Sequence, residues 1–185
     1  MDDPGPSKTL SAPESAEWLM KIDATEKDLN KIFKLVAPRL YADGMEANRQ
    51  IREANPAHEG VQRWTSAFNG IGVIVNRKTP SHRDKGGRPE WYDFLLAAGT
   101  YHDASLDIED LGAELLYTPG TVVAVCGKLL RHGVKGWEGG ERIVYAHYLR
   151  DNVMNRLEIP NSSWVTQGEF TQYMSSGYKR RMGIS

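Results

Sequence analysis

The sequence predicts a mainly β, α+β fold: two facing sheets rolled into a jelly roll, with N-terminal helices packed on one of them. Three observations predict it. About seven short β-branched or aromatic runs crowd into residues 64–155. Helical periodicity is confined to the residues before them. Gly, Pro and Asn mark the joints. The 185 residues suffice for one domain with a real core and are short for two.

Residues 1–13, rich in Pro, Ser, Asp and Gly, are expected to form a flexible lead-in. Residues 14–185 then make a single domain. Its helical layer covers about 14–60, its jelly-roll core about 64–155, and a C-terminal extension 156–185. Glu17-Trp18-Leu19-Met20 is an apolar patch able to dock on the domain. Thr25 is expected to cap a helix carrying Leu29, Ile32, Phe33 and Val36 at helical spacing, which Pro38 ends. A second helix is expected over Ala42–Asn55, stopped before Pro56. Strands are expected at Ile71–Asn76, Trp91–Tyr101, Leu106–Leu111, Ala113–Tyr117, Thr121–Cys126, Leu129–Val134 and Arg142–Leu149. Thr118-Pro119-Gly120 reads as a turn, and Lys135–Gly140 as a hairpin joining the last two strands. Seven such strands after a helical layer suggest a double-sheet jelly roll of the cupin kind. A short helix is expected near Thr166–Met174, before the basic cluster Lys179-Arg180-Arg181.

Charge and cysteine content narrow the partners. The net charge is −1, so no global basic field announces a nucleic acid. Charge is segregated, however: residues 1–30 hold seven acids against three bases, leaving 20 bases against 17 acids beyond them. A single cysteine, Cys126, makes no internal disulfide and suits a reducing compartment, where it reads as a buried strand residue. No apolar run reaches the length of a membrane span, and no basic-then-apolar leader marks a secretory signal.

The chemistry concentrates after the first expected strand. His82 and Asp84 flank one residue at the end of the apolar run Ile71–Val75. In extended chain, residues i and i+2 share a face, so an imidazole and a carboxylate there can hold one metal ion. His132 lies about fifty residues on, in another strand-like run. Two His and one carboxylate form the facial triad of non-heme Fe(II) oxygenases, with coordination positions left open. A 2-oxo acid fills two of them and O2 the third. A dicarboxylate needs a cation for its far end, and Arg142, about ten residues after His132, supplies a bidentate guanidinium. If Arg142 faces the site, alternation points Val144, Ala146, Tyr148 and Arg150 the same way.

The residues His82-Arg83-Asp84, Tyr117-Thr118-Pro119-Gly120-Thr121-Val122-Val123, Gly127, Arg131-His132-Gly133-Val134, Glu141-Arg142 and Tyr148-Leu149-Arg150-Asp151-Asn152-Val153 resemble the TET/JBP oxygenases, particularly their fungal members. The resemblance covers roughly residues 64–155. It implies a double-stranded β-helix fold, Fe(II), 2-oxoglutarate and O2, with His82, Asp84 and His132 as metal ligands and Arg142 on 2-oxoglutarate. Arg77 corresponds to a second arginine near the co-substrate, with Asn76 beside it. The implied partner is double-stranded DNA carrying a methylated base, and the implied activity is oxidation of 5-methylcytosine in a nuclear, monomeric enzyme. The family's long insertions and zinc-binding cysteine-rich module have no counterpart here.

A methyl group stacked in a duplex is out of reach, so the base is expected to flip into the pocket. Tyr148 is expected to stack on it and Arg150 to hydrogen-bond it. The Gly86-Gly87 pair leaves space beside the iron, and Asp93 is placed to accept from an exocyclic amine. Cytosine and adenine both carry one, so N6-methyladenine stays open as a second base. Plainer readings stand beside these. His102-Asp103 is a rival metal pair better read as a polar loop, and His147 reads as structural. Tyr148 and Trp91 serve equally as core, and the basic cluster reads as a solvated tail. The same chemistry on a small molecule or protein side chain, or a non-catalytic binding module of this fold, are the alternative functions.

Overall fold

The structure, a computed structural model, describes residues 5–160, 162–164, 166–169, 171, 172 and 175. Three helices come first: α1 (Ser15–Val36), α2 (Pro38–Ala54) and α3 (Glu59–Arg63). Helix α1 starts ten residues before the expected cap, so Thr25 lies in its interior. Burial overrides the capping signal. Leu19, Glu26, Leu29 and Phe33 fall on one inward face, and the patch around Trp18 is the helix's own first turns. Pro38 both ends α1 and opens α2, since a first-turn residue needs no N–H donor. Helix α2 therefore begins before Ala42 and buries Leu40, Gly44, Ala47 and Asn48. The lead-in is tied down from Ser7: Ser11 N donates to the Ser7 carbonyl at 3.0 Å, and Ser11 Oγ meets His58 Nε2 at 3.1 Å. Helix α3 is an element the sequence reading left out.

Eight strands follow: β1 (Gly70–Val75), β2 (Thr79–His82), β3 (Asp93–Gly99), β4 (Ser105–Ile108), β5 (Ala113–Leu116), β6 (Val122–Val125), β7 (His132–Val134) and β8 (Arg142–Tyr148). They form two antiparallel sheets, ordered β1-β8-β3-β6 and β2-β7-β4-β5. The expected run Leu106–Leu111 divides, with Glu109–Leu111 forming a 3-10 turn closed by Gly112 at φ +58°. Beyond β8, α4 (Asp151–Arg156) closes the described fold proper. Residues 167–169, 171, 172 and 175 are helical, where a helix was expected, and Lys179-Arg180-Arg181 lies outside the described residues.

One expectation is overturned. Residues 135–140 do not form a hairpin between β7 and β8, because the two strands belong to different sheets. Both edges of β8 are already taken, by β1 and β3. The connection instead crosses between sheets and is pinned midway. His102 N donates to the Glu138 carbonyl at 2.9 Å, and Glu138 N to the His102 carbonyl at 2.8 Å.

Two cores hold the layers together. Phe33, Phe68 and Phe94 stack with Leu40, Trp91, Leu149 and Met154 between the helices and the outer face of the first sheet. Leu95, Ala97, Tyr101, Leu106, Ile108, Tyr117, Val125, Val134 and Val144 fill the space between the sheets. The alternation along β3, Phe94 outward and Leu95 inward, is the period of two expected of a strand buried on both faces. Among the described residues no helix is long and apolar enough to cross a membrane.

Candidate metal and co-substrate site

His82 does not end the first apolar run. Asn76, at φ +49°, turns the chain out of β1 and passes it to the second sheet, where His82 closes β2. There it lies directly opposite His132 of β7. The imidazole centroids are 4.6 Å apart. Asp84, held by its N–H to the Gly127 carbonyl at 2.9 Å, completes the group. Asp84 Oδ1 is 3.3 Å from His82 Nε2 and Asp84 Oδ2 is 3.6 Å from His132 Nε2. Ligand atoms of all three lie within 4.8 Å of one another. Each Nδ1 meets a carbonyl of its own strand approach, His82 with Pro80 at 2.9 Å and His132 with Leu130 at 3.0 Å. An Nδ1 proton given to that carbonyl leaves Nε2 free to bind a metal, the arrangement common to metal-ligating histidines. The His132 side chain is 5% exposed and that of His82 41%, so the group opens on the His82 side.

Behind Asp84 lies a second carboxyl. Asp93 is buried, and a Cβ at Gly127 would collide with the carboxylate oxygens of both Asp84 and Asp93. Burial first, then the charge of Asp84 and a hydrogen bond to it, push the Asp93 carboxyl up to about 8.

Arg142 is 2% exposed. Its guanidinium lies 5.6 Å from the Tyr117 ring centroid and 5.5 Å from that of Trp137. One Nη donates to the Arg77 carbonyl at 3.1 Å, while Nε has no partner. No ion pair among the described residues satisfies this cation. A buried guanidinium without its anion is expensive unless a ligand supplies one, and a dicarboxylate's distal end does so. The two-imidazole, one-carboxylate group likewise matches the donor set and open geometry of non-heme Fe(II). The residues present therefore fit both iron and 2-oxoglutarate.

The other expected residues are placed as follows. Asn76 supports Arg142 from behind: its Oδ1 accepts from Arg142 N at 2.8 Å, and its own N–H donates to the Arg142 carbonyl at 2.8 Å. Arg77 is exposed, and its backbone carbonyl is what meets Arg142. Ala146 and Val144 face the inter-sheet core, as alternation required. Tyr148 packs its ring against Gly70 of β1, and Arg150, just past the strand, lies 5.0 Å over that ring and donates to its hydroxyl at 3.2 Å. Both border a groove of about 900 Å³ that Trp64 and Ile71 also line. Gly87 packs toward the Leu149 carbonyl, so its loop is applied to the chain after β8. His147 is buried in a 2.8 Å pair with Glu26. His102, Asp103 and Glu138 also cluster, fully at the surface.

Tyr117 and Trp137, which flank Arg142, were missed as site residues. Tyr117 ended an expected strand and opened a stretch resembling the family without being given a role, and Trp137 was absorbed into the supposed hairpin. An aromatic inside a Gly-rich crossing was the available signal.

The sequence matches the model of the Tet_JBP family, described as the oxygenase domain of the 2OGFeDO superfamily, over residues 5–151. No curated protein matches it significantly. Among solved structures, NgTET1 in complex with 5mC DNA is similar at TM-score 0.65 and 15% identity, over 92% of this chain and 63% of that one. This chain thus spans just under two thirds of that protein's length. A Cupin 2 conserved barrel domain protein from Salinispora arenicola is similar at TM-score 0.36 and 18% identity, over 51% of this chain and 76% of that one. The family match runs from the turns before α1 to the first residue of α4, taking in both sheets and every residue of the triad. The chain belongs to the TET/JBP family of oxygenases, which use Fe(II), 2-oxoglutarate and O2.

Proposed function

We propose that the chain oxidises the methyl group of a methylated base in double-stranded DNA, 5-methylcytosine to 5-hydroxymethylcytosine and beyond. One observation carries the reading: a complete His–Asp–His group and a buried, anion-less arginine share one barrel in a chain of this family. The fold likeness to a protein solved with 5mC DNA supports the choice of substrate.

His82, Asp84 and His132 hold the metal, and Arg142 receives the distal carboxylate of 2-oxoglutarate. Tyr117 and Trp137 keep water from that ion pair, which strengthens it. Bound together, iron, 2-oxoglutarate and O2 supply the oxidising power to break a methyl C–H bond. The chain's remaining task is to present that bond. The base flips out of the duplex and enters from the open His82 side; Tyr148 is the candidate stacking face and Arg150 the candidate donor to its edge, from a groove that no triad residue lines. N6-methyladenine is the second base in this proposal. Asp93, buried against Asp84, favours neither base. We place the enzyme in the nucleus as a monomer, since one barrel carries the whole candidate site.

The test is nucleoside mass spectrometry of a duplex carrying methylated CpG, incubated with the protein, Fe(II), 2-oxoglutarate and ascorbate. Hydroxymethylcytosine and succinate are expected, and neither with His82→Ala. Succinate without base oxidation would move the substrate to a small molecule or a protein side chain. No turnover at all would leave a binding module.

A further inference from the structure

The triad is assembled from two strand ends: His82 and Asp84 at the end of β2, His132 at the start of β7. Each half has an arginine beside it, Arg83 between His82 and Asp84 and Arg131 just before His132. Both arginines converge on one carboxylate, Asp110 of the 3-10 turn after β4. Arg83 Nη2 donates to Asp110 Oδ1 at 3.1 Å and Oδ2 at 3.0 Å. The Arg131 backbone N–H donates to Asp110 Oδ2 at 2.6 Å. The remaining donors finish the knot. Arg83 Nε donates to the Leu129 carbonyl at 2.9 Å, and Arg131 Nε to Glu109 Oε2 at 3.2 Å. The Glu109 N–H donates to the Arg131 carbonyl at 3.0 Å, and Ile108 pairs with His132 across β4 and β7.

We propose that Asp110 is a positioning residue for the metal centre: it clasps the Arg83 and Arg131 segments and so sets the spacing between His82–Asp84 and His132. It touches no ligand atom and acts through the chain on either side. Beyond a bond from Arg131 Nη2 to the Ser81 carbonyl at 3.4 Å, the β2–β7 pairing is sparse, with register partners only at Thr79–Val134 and His82–His132 and a shift between them. Such a ladder leaves room for the two imidazoles to slip, and the charge-assisted bonds to Asp110 remove it. The Asp110 side chain is 33% exposed and that of Arg83 47%. Ion pairs that exposed add little to global stability. The clasp should therefore register in metal affinity and geometry, where losing a group that orients the ligands commonly weighs ten- to a hundredfold, and hardly in the melting temperature.

The inference rests on the metal reading above, so the experiment separates the two. Mn(II) affinity is measured by calorimetry, and the Co(II) absorption bands are recorded, for the full chain, Asp110→Ala, Asp110→Asn, Arg83→Gln and His82→Ala. Asp110→Ala should bind Mn(II) about tenfold or more weakly with altered Co(II) bands, and with little change in metal-free melting. Asp110→Asn, which keeps an acceptor for the Arg131 N–H, should recover part of the loss. Asp110→Ala combined with Arg83→Gln should lose less than the sum of the two single losses, as expected of coupled partners. Unchanged affinity and bands in Asp110→Ala, or additive losses in the double variant, overturn the proposal. If Asp110→Ala does not fold, unchanged affinity and bands in Arg83→Gln overturn it. Mn(II) binding that survives His82→Ala overturns the metal assignment itself.

Discussion

Arg142 is the residue whose surroundings most constrain function. It is the largest charged side chain buried among the described residues, and its neighbours are aromatic side chains, Tyr101 included, and a carbonyl rather than an acid. Losing a bidentate charge-assisted contact weighs about 3 kcal/mol, or roughly a hundredfold. Arg142→Ala should raise the KM for 2-oxoglutarate by about that factor with Mn(II) affinity intact. Arg142→Lys, which keeps the charge and loses the fork, should recover part of it. Succinate-release kinetics read both. Asp93 makes a separate prediction, for the metal-free protein. Its carboxyl titrates near 8 in the fold against about 3.8 unfolded, so the fold holds the proton more tightly. That contribution to stability is complete below about pH 4 and is lost as pH rises to about 8. Urea unfolding between pH 5 and 9 should show the decline, and Asp93→Asn should flatten it. The triad was legible because ligand chemistry tolerates few residue types at such spacing. The role of Asp93 was not, because it arises from Gly127, more than thirty positions away, letting two carboxyls meet.

Among the elements, most strands were read well, but β2, the strand that carries His82, was not anticipated, and connections were read poorly. The β-branched runs announced β3, β6 and β8 to within two residues at most ends. The 135–140 crossing looked like a hairpin because Gly-rich composition marks a reversal and says nothing about which sheet the chain enters. That depends on β8 already having β1 and β3 as neighbours. The start of α1 was misread for a related reason. Thr25 looked like a cap, yet its neighbour Glu26 is buried against His147 of β8 at 2.8 Å. This pair is the polar rivet between the helical layer and the first sheet. Removing one member of a buried pair leaves the other without a partner, at about 3–5 kcal/mol. Glu26→Ala should lower the urea midpoint accordingly. Glu26→Gln should lose much less, because Glu26 Oε2 already lacks a partner and an amide can still meet the His147 ring.

At the scale of the molecule, the expected ligands of metal and co-substrate stand apart from the two cores, while Tyr117 and Trp137 join the candidate site to the inter-sheet core. None of His82, Asp84, His132 or Arg142 belongs to either apolar cluster, and those clusters run the length of both layers. Metal should thus act on a barrel that already exists, unlike small domains whose folding energy is their metal binding. A ligand that binds only the folded state stabilises by about 2.7 kcal/mol at a hundred times its Kd. For a chain of this size that is a rise of about 5–10 °C in melting temperature. Chelated protein should keep its far-ultraviolet circular dichroism and melt cooperatively. Added Mn(II) should raise the midpoint by about that interval, with the increment growing as the logarithm of metal concentration and vanishing in His82→Ala. A chelated chain without cooperative melting would instead make the metal part of the core, and the division between scaffold and site would fail with it.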